Sequence, residues 1–180
     1  MKKYQILVLL TAVVGIVSAQ EKLMTKSGNV NFISETPIET IQAENHQVAS
    51  ILYKKEKKIL FSVPLRAFKF EKALMEEHFN EKYVHSDKFP SAKFVGSIET
   101  DINFDKPGKY KEVGIKGTMY FHGEEKELNV KGEFDVKDSK NIEASSIFKL
   151  LLSDYNIKIP SIVRKQISES VDVTINLKYE

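Results

Sequence analysis

The 180-residue sequence contains no cysteine and no tryptophan, and only 8 glycines and 5 prolines. Without cysteine there are no disulfide staples, no thiol catalysis, no cysteine metal site and no lipid anchor carried on a cysteine. A domain so built must be held by its own apolar core. The glycines occur singly, so no phosphate-cradling loop is present. No GxSxG elbow occurs, and the serines fall in turns or alternating strands. A long apolar run is missing too. The longest, residues 6–17, is shorter than the roughly 20 residues a membrane-spanning helix needs.

That run instead reads as part of a secretion signal. Lys2 and Lys3 precede it, and Val17, Ser18 and Ala19 end it with small residues at the cleavage-prone positions. Cleavage is expected after Ala19, leaving residues 20–180 as a single domain of about 160 residues, enough to bury its own core. The expected location is the periplasm or the exterior. The whole chain has 27 basic and 25 acidic residues, and loss of Lys2 and Lys3 leaves 25 of each. A nucleic-acid binder concentrates a basic excess on one face. Here the longest basic run, Lys54-Lys55-Glu56-Lys57-Lys58, lies between two strand patterns and reads as a solvated hairpin turn. No nucleic-acid partner and no stable membrane insertion after signal cleavage are expected.

What the sequence does have is a period of two. Val171, Val173, Ile175, Leu177 and Tyr179 alternate with polar residues, as do Leu128, Val130, Gly132, Phe134 and Val136. Val113, Ile115, Gly117, Met119 and Phe121 form a third apolar set. His122-Gly123-Glu124-Glu125 joins the last two sets as a hairpin, with Gly123 free to take a positive φ. Further strands are expected near 29–34, 46–53, 58–65, 91–104 and 141–149. About eight strands joined by short polar turns predict an all-β antiparallel barrel or sandwich.

Two segments break the alternation. Residues 71–80 predict a short amphipathic helix with Leu74, Met75, His78 and Phe79 turned inward and Glu71, Lys72, Glu76 and Glu77 in water. The second break is residues 150–170, where Asp154 to Pro160 precede a helical stretch that Ser161 can cap, with Val163 and Ile167 inward. Both would act as lids or plugs between strands.

The histidines, His46, His78, His85 and His122, do not have metal-ligand spacing. His78 lies on the inward stripe, where a helix-packing role outweighs an acid-base or ligand role. The paired carboxylates are adjacent and solvated. With no catalytic constellation, neither enzyme activity nor a cofactor is expected. Of the 11 phenylalanines, Phe32, Phe61, Phe94, Phe121 and Phe134 are on inward faces. An eight-stranded barrel is either just filled by such side chains or holds one small ligand, and periodicity leaves both open.

Five stretches, GNVNFIS, KILFSVPLRAFKF, LMEEHFNEKY, KFPSAKFVGSI and GTMYFHGEEKELNV, follow in the order found in the YceI-like family, which the chain resembles over essentially all of residues 20–180. The resemblance implies an extended lipocalin-like barrel around a tunnel for a polyisoprenoid chain, such as an isoprenoid quinone, in the periplasm. On that footing the inward residues Phe61, Val63, Phe94, Ile98, Ile115, Met119, Leu128, Val130 and Val173 are expected to line the tunnel. Leu74, Met75 and Phe79 join them from the helix. The partner implied is a long-chain isoprenoid or similar amphiphilic lipid. The stretch SDYNIKIPSIVRKQI varies on the family pattern and could reshape one mouth. A ligand-free structural or interaction barrel, or a small enzyme using His78, are the alternatives, and the oligomeric state, homodimer included, stays open.

Overall fold

The computed structural model describes residues 22–180; the expected signal and its cleavage point lie outside them. Nine strands form: β1 (Lys22–Glu35), β2 (Thr40–Tyr53), β3 (Lys58–Pro64), β4 (Lys69–Phe70), β5 (Ser91–Ile98), β6 (Gly108–Phe121), β7 (Glu124–Val136), β8 (Ile142–Leu151) and β9 (Ser170–Tyr179). Every pairing is antiparallel. The sheet runs β1-β9-β8-β7-β6-β5-β3-β2, and β2 pairs back onto β1. Eight strands therefore close into a barrel, with the two-residue β4 an appendage of β2. Closure is made by Asn29–Ile33 against Asp172–Asn176, which sets Phe32 opposite Val173. It removes both free edges of the sheet.

The β6–β7 hairpin turns as the sequence predicts. His122 (φ 53°) and Gly123 (φ 84°) are its two turn residues, both in the left-handed region that such tight hairpins require. Between β5 and β6 the wall thins: Gly96 pairs with Gly117, and the Phe94 ring lies over both. A Cβ on Gly117 would stand 2.3 Å from the Val95 carbonyl oxygen, so only glycine fits this close approach.

The two ends differ. At one end the chain between β5 and β6 seals the interior, with Ile102 and Phe104 buried and Phe104 packed edge-on against Phe134 at 5.9 Å. The sequence alternation of residues 91–104 predicts one long strand. The ladder stops at Ile98, however, and the rest serves as the plug. Lys54 also corrects an expectation, because it is buried rather than solvated. Its Nζ donates to Asp105 Oδ1 at 2.8 Å and to the Ser139 carbonyl at 2.9 Å, stapling three turns together. A buried ammonium is tolerated where such acceptors replace its water.

The other end is open. β7 pairs with β8 only from Gly132–Val136 to Ile142–Ser146. Beyond the Ser146 Oγ bond to the Lys131 carbonyl, 2.7 Å, that ladder stops, and a 3-10 turn, Leu152–Tyr155, follows β8. The predicted helix at 71–80 appears as α1 (Ala73–His78), continued by a π-turn, Phe79–Tyr83. The predicted second helix is reduced to a single 3-10 turn, Ser161–Val163, and Ser161 does not cap it; the N-cap is Pro160 with no side-chain bond. Its pieces still face inward, as described below.

Tyr179 is fully buried, and its hydroxyl lies 2.7 Å from Ser50 Oγ, which itself donates to the Leu60 carbonyl at 2.7 Å. The phenol is therefore the donor in the first bond. Ser50→Ala strands that hydroxyl and is expected to cost about 1–3 kcal/mol in urea denaturation; Tyr179→Phe removes the need for a partner and should cost less. Burial drives the Tyr179 phenol well above its ordinary range. A raised folded-state pKa means a contribution intact below about pH 10 and lost as pH climbs further. The alkaline fall in stability should accordingly be shallower in Tyr179→Phe.

Candidate functional site

The inward faces do not fill the barrel. They enclose an apolar cavity of about 330 Å³, within the roughly 300–1,000 Å³ span of small-molecule sites. From the strands predicted to line it, Phe61, Val63, Phe94, Ile115, Met119, Leu128, Val130 and Val173 do so. From the helical segment, Met75 and Phe79 also do. The inward phenylalanines Phe32, Phe121 and Phe134 are on the same wall.

Two expected residues are elsewhere. Leu74 is 60% exposed and points to solvent. At 3.6 residues per turn, Met75, His78 and Phe79 centre the inward stripe, and Leu74 falls about 90° away from that centre. Ile98 is buried but does not reach the cavity. As the last residue of β5, beside the Lys57 carbonyl that its amide meets at 2.7 Å, it belongs to the packed, sealed end.

Periodicity also missed several lining residues. Phe148, Leu150 and Leu152, which alternate along β8 and past its end, also line the cavity. Phe68 precedes β4 and Phe70 ends it, and a two-residue strand offers no period to count. Val163 and Ile167 reach the cavity as the sequence stripe predicts, joined by Gln166 at the mouth.

The lid is anchored by rings. Phe79 sits 5.7 Å from Phe32, 5.5 Å from Phe68 and 5.2 Å from Phe70, centroid to centroid. One side chain thus ties the α1 segment to β1 and to the β3–β4 connection. Such aromatic pairs add about 0.5–1.5 kcal/mol each beyond area burial.

A second tie fixes the far side of the mouth. The His122 ring accepts an edge-on contact from Phe89 at 4.9 Å and stacks on His85 at 5.1 Å. Its Nδ1 lies 2.8 Å from the Tyr155 carbonyl oxygen, and its Nε2 lies 2.8 Å from His85 Nδ1. A carbonyl only accepts, so His122 carries its proton on Nδ1, and His85 Nδ1–H donates to the free Nε2 in the neutral pair. The β6–β7 turn, the loop after the lid and the turn after β8 are thereby joined. Both histidines are structural, and among the described residues no group of three or more His, Asp or Glu side chains could hold a metal.

The polar groups on the cavity wall are few and mostly engaged. His78 Nε2 receives the Lys82 ammonium at 2.8 Å, the locally bonded state expected of a packing histidine. Glu39 meets Lys72 at 3.4 Å on the rim. Ser34 Oγ accepts the Ser168 amide at 2.9 Å. Burial raises the Tyr83 phenol above its ordinary range. On β8, Ser145 and Ser146 also reach the wall, Ser146 Oγ being engaged by the Lys131 carbonyl. With so few polar groups, the interior can solvate a long apolar chain.

Phe79→Ala removes the ring that three others touch. Because Phe79 is only half-buried, a loss of about 2 kcal/mol is expected, under the ~3–5 of a fully buried Phe. Amide exchange should rise in residues 73–83 before the barrel strands are affected.

A family model, the YceI-like domain, matches residues 19–179. No curated protein sequence matches the chain. Among solved structures, a polyisoprenoid-binding domain from Saccharophagus degradans, implicated in plant cell wall breakdown, is similar at 12% identity. Its TM-score is 0.77, over 89% of this chain and 98% of that one. BcnA of Burkholderia cenocepacia is similar at 11% identity and TM-score 0.70, over 84% and 95%. The YceI protein of Campylobacter jejuni shares 20% identity at TM-score 0.55, over 69% and 72%. At these identities the likeness is one of fold.

Proposed function

The chain belongs to the YceI-like family, and from that premise we propose that it is a binding or carrier protein for an amphiphilic, polyisoprenoid-like lipid, an isoprenoid quinone being the leading candidate. The observation that carries this reading is the cavity itself, lined almost wholly by apolar side chains, with Ser34, Glu39, His78, Tyr83, Gln166 and the β8 serines Ser145 and Ser146 its only polar wall residues. Each CH₂ moved from water into such a wall contributes about 0.8 kcal/mol, so a long chain can be held without a single specific polar contact. Glu39, His78 and Gln166 at the mouth would meet the polar head. The polyisoprenoid-binding domain of Saccharophagus degradans supports the same ligand class by its fold.

We place the protein in the periplasm or outside the cell, on the strength of the basic, apolar and small-residue pattern of residues 1–19. Its role is read as binding rather than catalysis. His78, the side chain an enzyme would use, is bonded to Lys82 one turn away and shows no carboxylate or hydroxyl partner that would activate it. A fully packed barrel is the reading least compatible with the cavity beneath α1.

Filling the cavity tests the reading. Val130→Trp places an indole in mid-barrel, opposite Ile115. Titration of a detergent-solubilised isoprenoid quinone should show at least tenfold weaker binding than the wild-type chain, with the melting temperature little changed. Equal binding by both proteins, or none by the wild type, would contradict the proposal.

A further inference from the structure

The open end of the barrel carries a feature that holding a ligand does not require. Among the described residues the most exposed large apolar side chains are Ile162 at 89%, Ile147 at 71%, Ile38 at 64% and Leu74 at 60%. Isolated exposed aliphatics are ordinary on a protein surface, but three of these four stand around the cavity mouth. Ile38 is in the turn between β1 and β2, Leu74 is on α1, and Ile162 is in the 3-10 turn Ser161–Val163. The chain neighbour of each, Glu39, Met75 and Val163, lines the cavity. The three elements are also tied together, by Lys72 to Glu39 at 3.4 Å and by the Ser168 amide to Ser34 Oγ at 2.9 Å.

We propose that this end is a docking surface for a lipid bilayer, with Ile38, Leu74 and Ile162 entering the headgroup layer and the cavity mouth facing the membrane. The inference rests on the lipid-holding function proposed above and says where the lipid is exchanged. Three aliphatics on three separate elements rim an opening rather than line a groove, which suits a fluid planar partner. A protein lid over the same rim would seal the cavity. A bilayer would instead deliver an apolar chain into it without passage through water. The attachment proposed is peripheral, through three side chains at one end of the barrel; no helix among the described residues is long and apolar enough to cross a membrane. The turn at Glu39, residues 69–83 and residues 161–167 carry Lys69, Lys72, Lys82, Arg164 and Lys165 against Glu39, Glu71, Glu76, Glu77 and Glu81. With the signs balanced, apolar insertion drives the contact and anionic headgroups are not needed.

Flotation of the full chain with phosphatidylcholine vesicles, at low and high salt, tests this. The wild-type protein should float with the vesicles, with a salt effect under about twofold. The combined substitutions Ile38→Asp, Leu74→Asp and Ile162→Asp should lower partitioning at least tenfold, and Ile162→Asp alone should lower it measurably. None of the three lines the cavity, so the triple variant should still bind detergent-solubilised isoprenoid quinone as the wild type does. That separates the two ideas: no quinone binding by the wild type defeats the carrier function, whereas a wild type that does not float, or a triple variant that floats equally, defeats only the docking. Failure of the wild type to float, equal flotation of the triple variant, or flotation only with phosphatidylglycerol present would overturn the proposal. So would a dimer that the triple substitution splits without changing flotation, which would make the rim a contact between copies.

Discussion

Closure of the sheet between β1 and β9 is the constraint on which the rest of the molecule depends. With Phe32 set opposite Val173, every apolar face of the eight strands turns toward one enclosed space. An open sheet with the same alternation would need a second layer to cover it. A closed one needs only its two ends dealt with, and the two are treated differently here. Ile102, Phe104 and the buried ammonium of Lys54 seal one. The other is spanned by side chains that pack loosely over a cavity.

The loosely covered end owes its character to short elements that could not hold themselves. A six-residue helix is far below the length at which helices persist alone in water, so α1 depends on the Phe32, Phe68, Phe70 and Phe79 rings beneath it. The His85–His122–Tyr155 chain supports the opposite side in the same way, through two hydrogen bonds. Both are local ties on a rigid barrel, and regions held by few ties open at lower cost than the sheet. A lid of that kind suits a site whose contents must enter and leave.

Much of this was legible in the residues, and the failures have physical causes. Alternation located the strands because each has one wet face and one dry face. It misled at residues 99–104, since Ile102 and Phe104 bury at the same spacing without any ladder. The sequence shows the helix, but its apolar spacing extends the inward stripe to Leu74, which the structure exposes. A stripe of six residues has no redundancy to reveal its centre. The burial of Lys54 is not legible in the sequence, because nothing in a run of lysines tells which one meets Asp105 and Ser139 from distant turns. Barrel closure itself came with the family resemblance, as a period of two is equally at home in a sandwich.

The central claim is that the barrel interior holds a long apolar molecule in the cell. Protein purified gently from its native source, extracted with organic solvent and analysed by mass spectrometry, tests that most directly. A stoichiometric isoprenoid or similar long-chain amphiphile, absent from a Val130→Trp preparation handled identically, is the predicted result. Repeated preparations without bound lipid would contradict it.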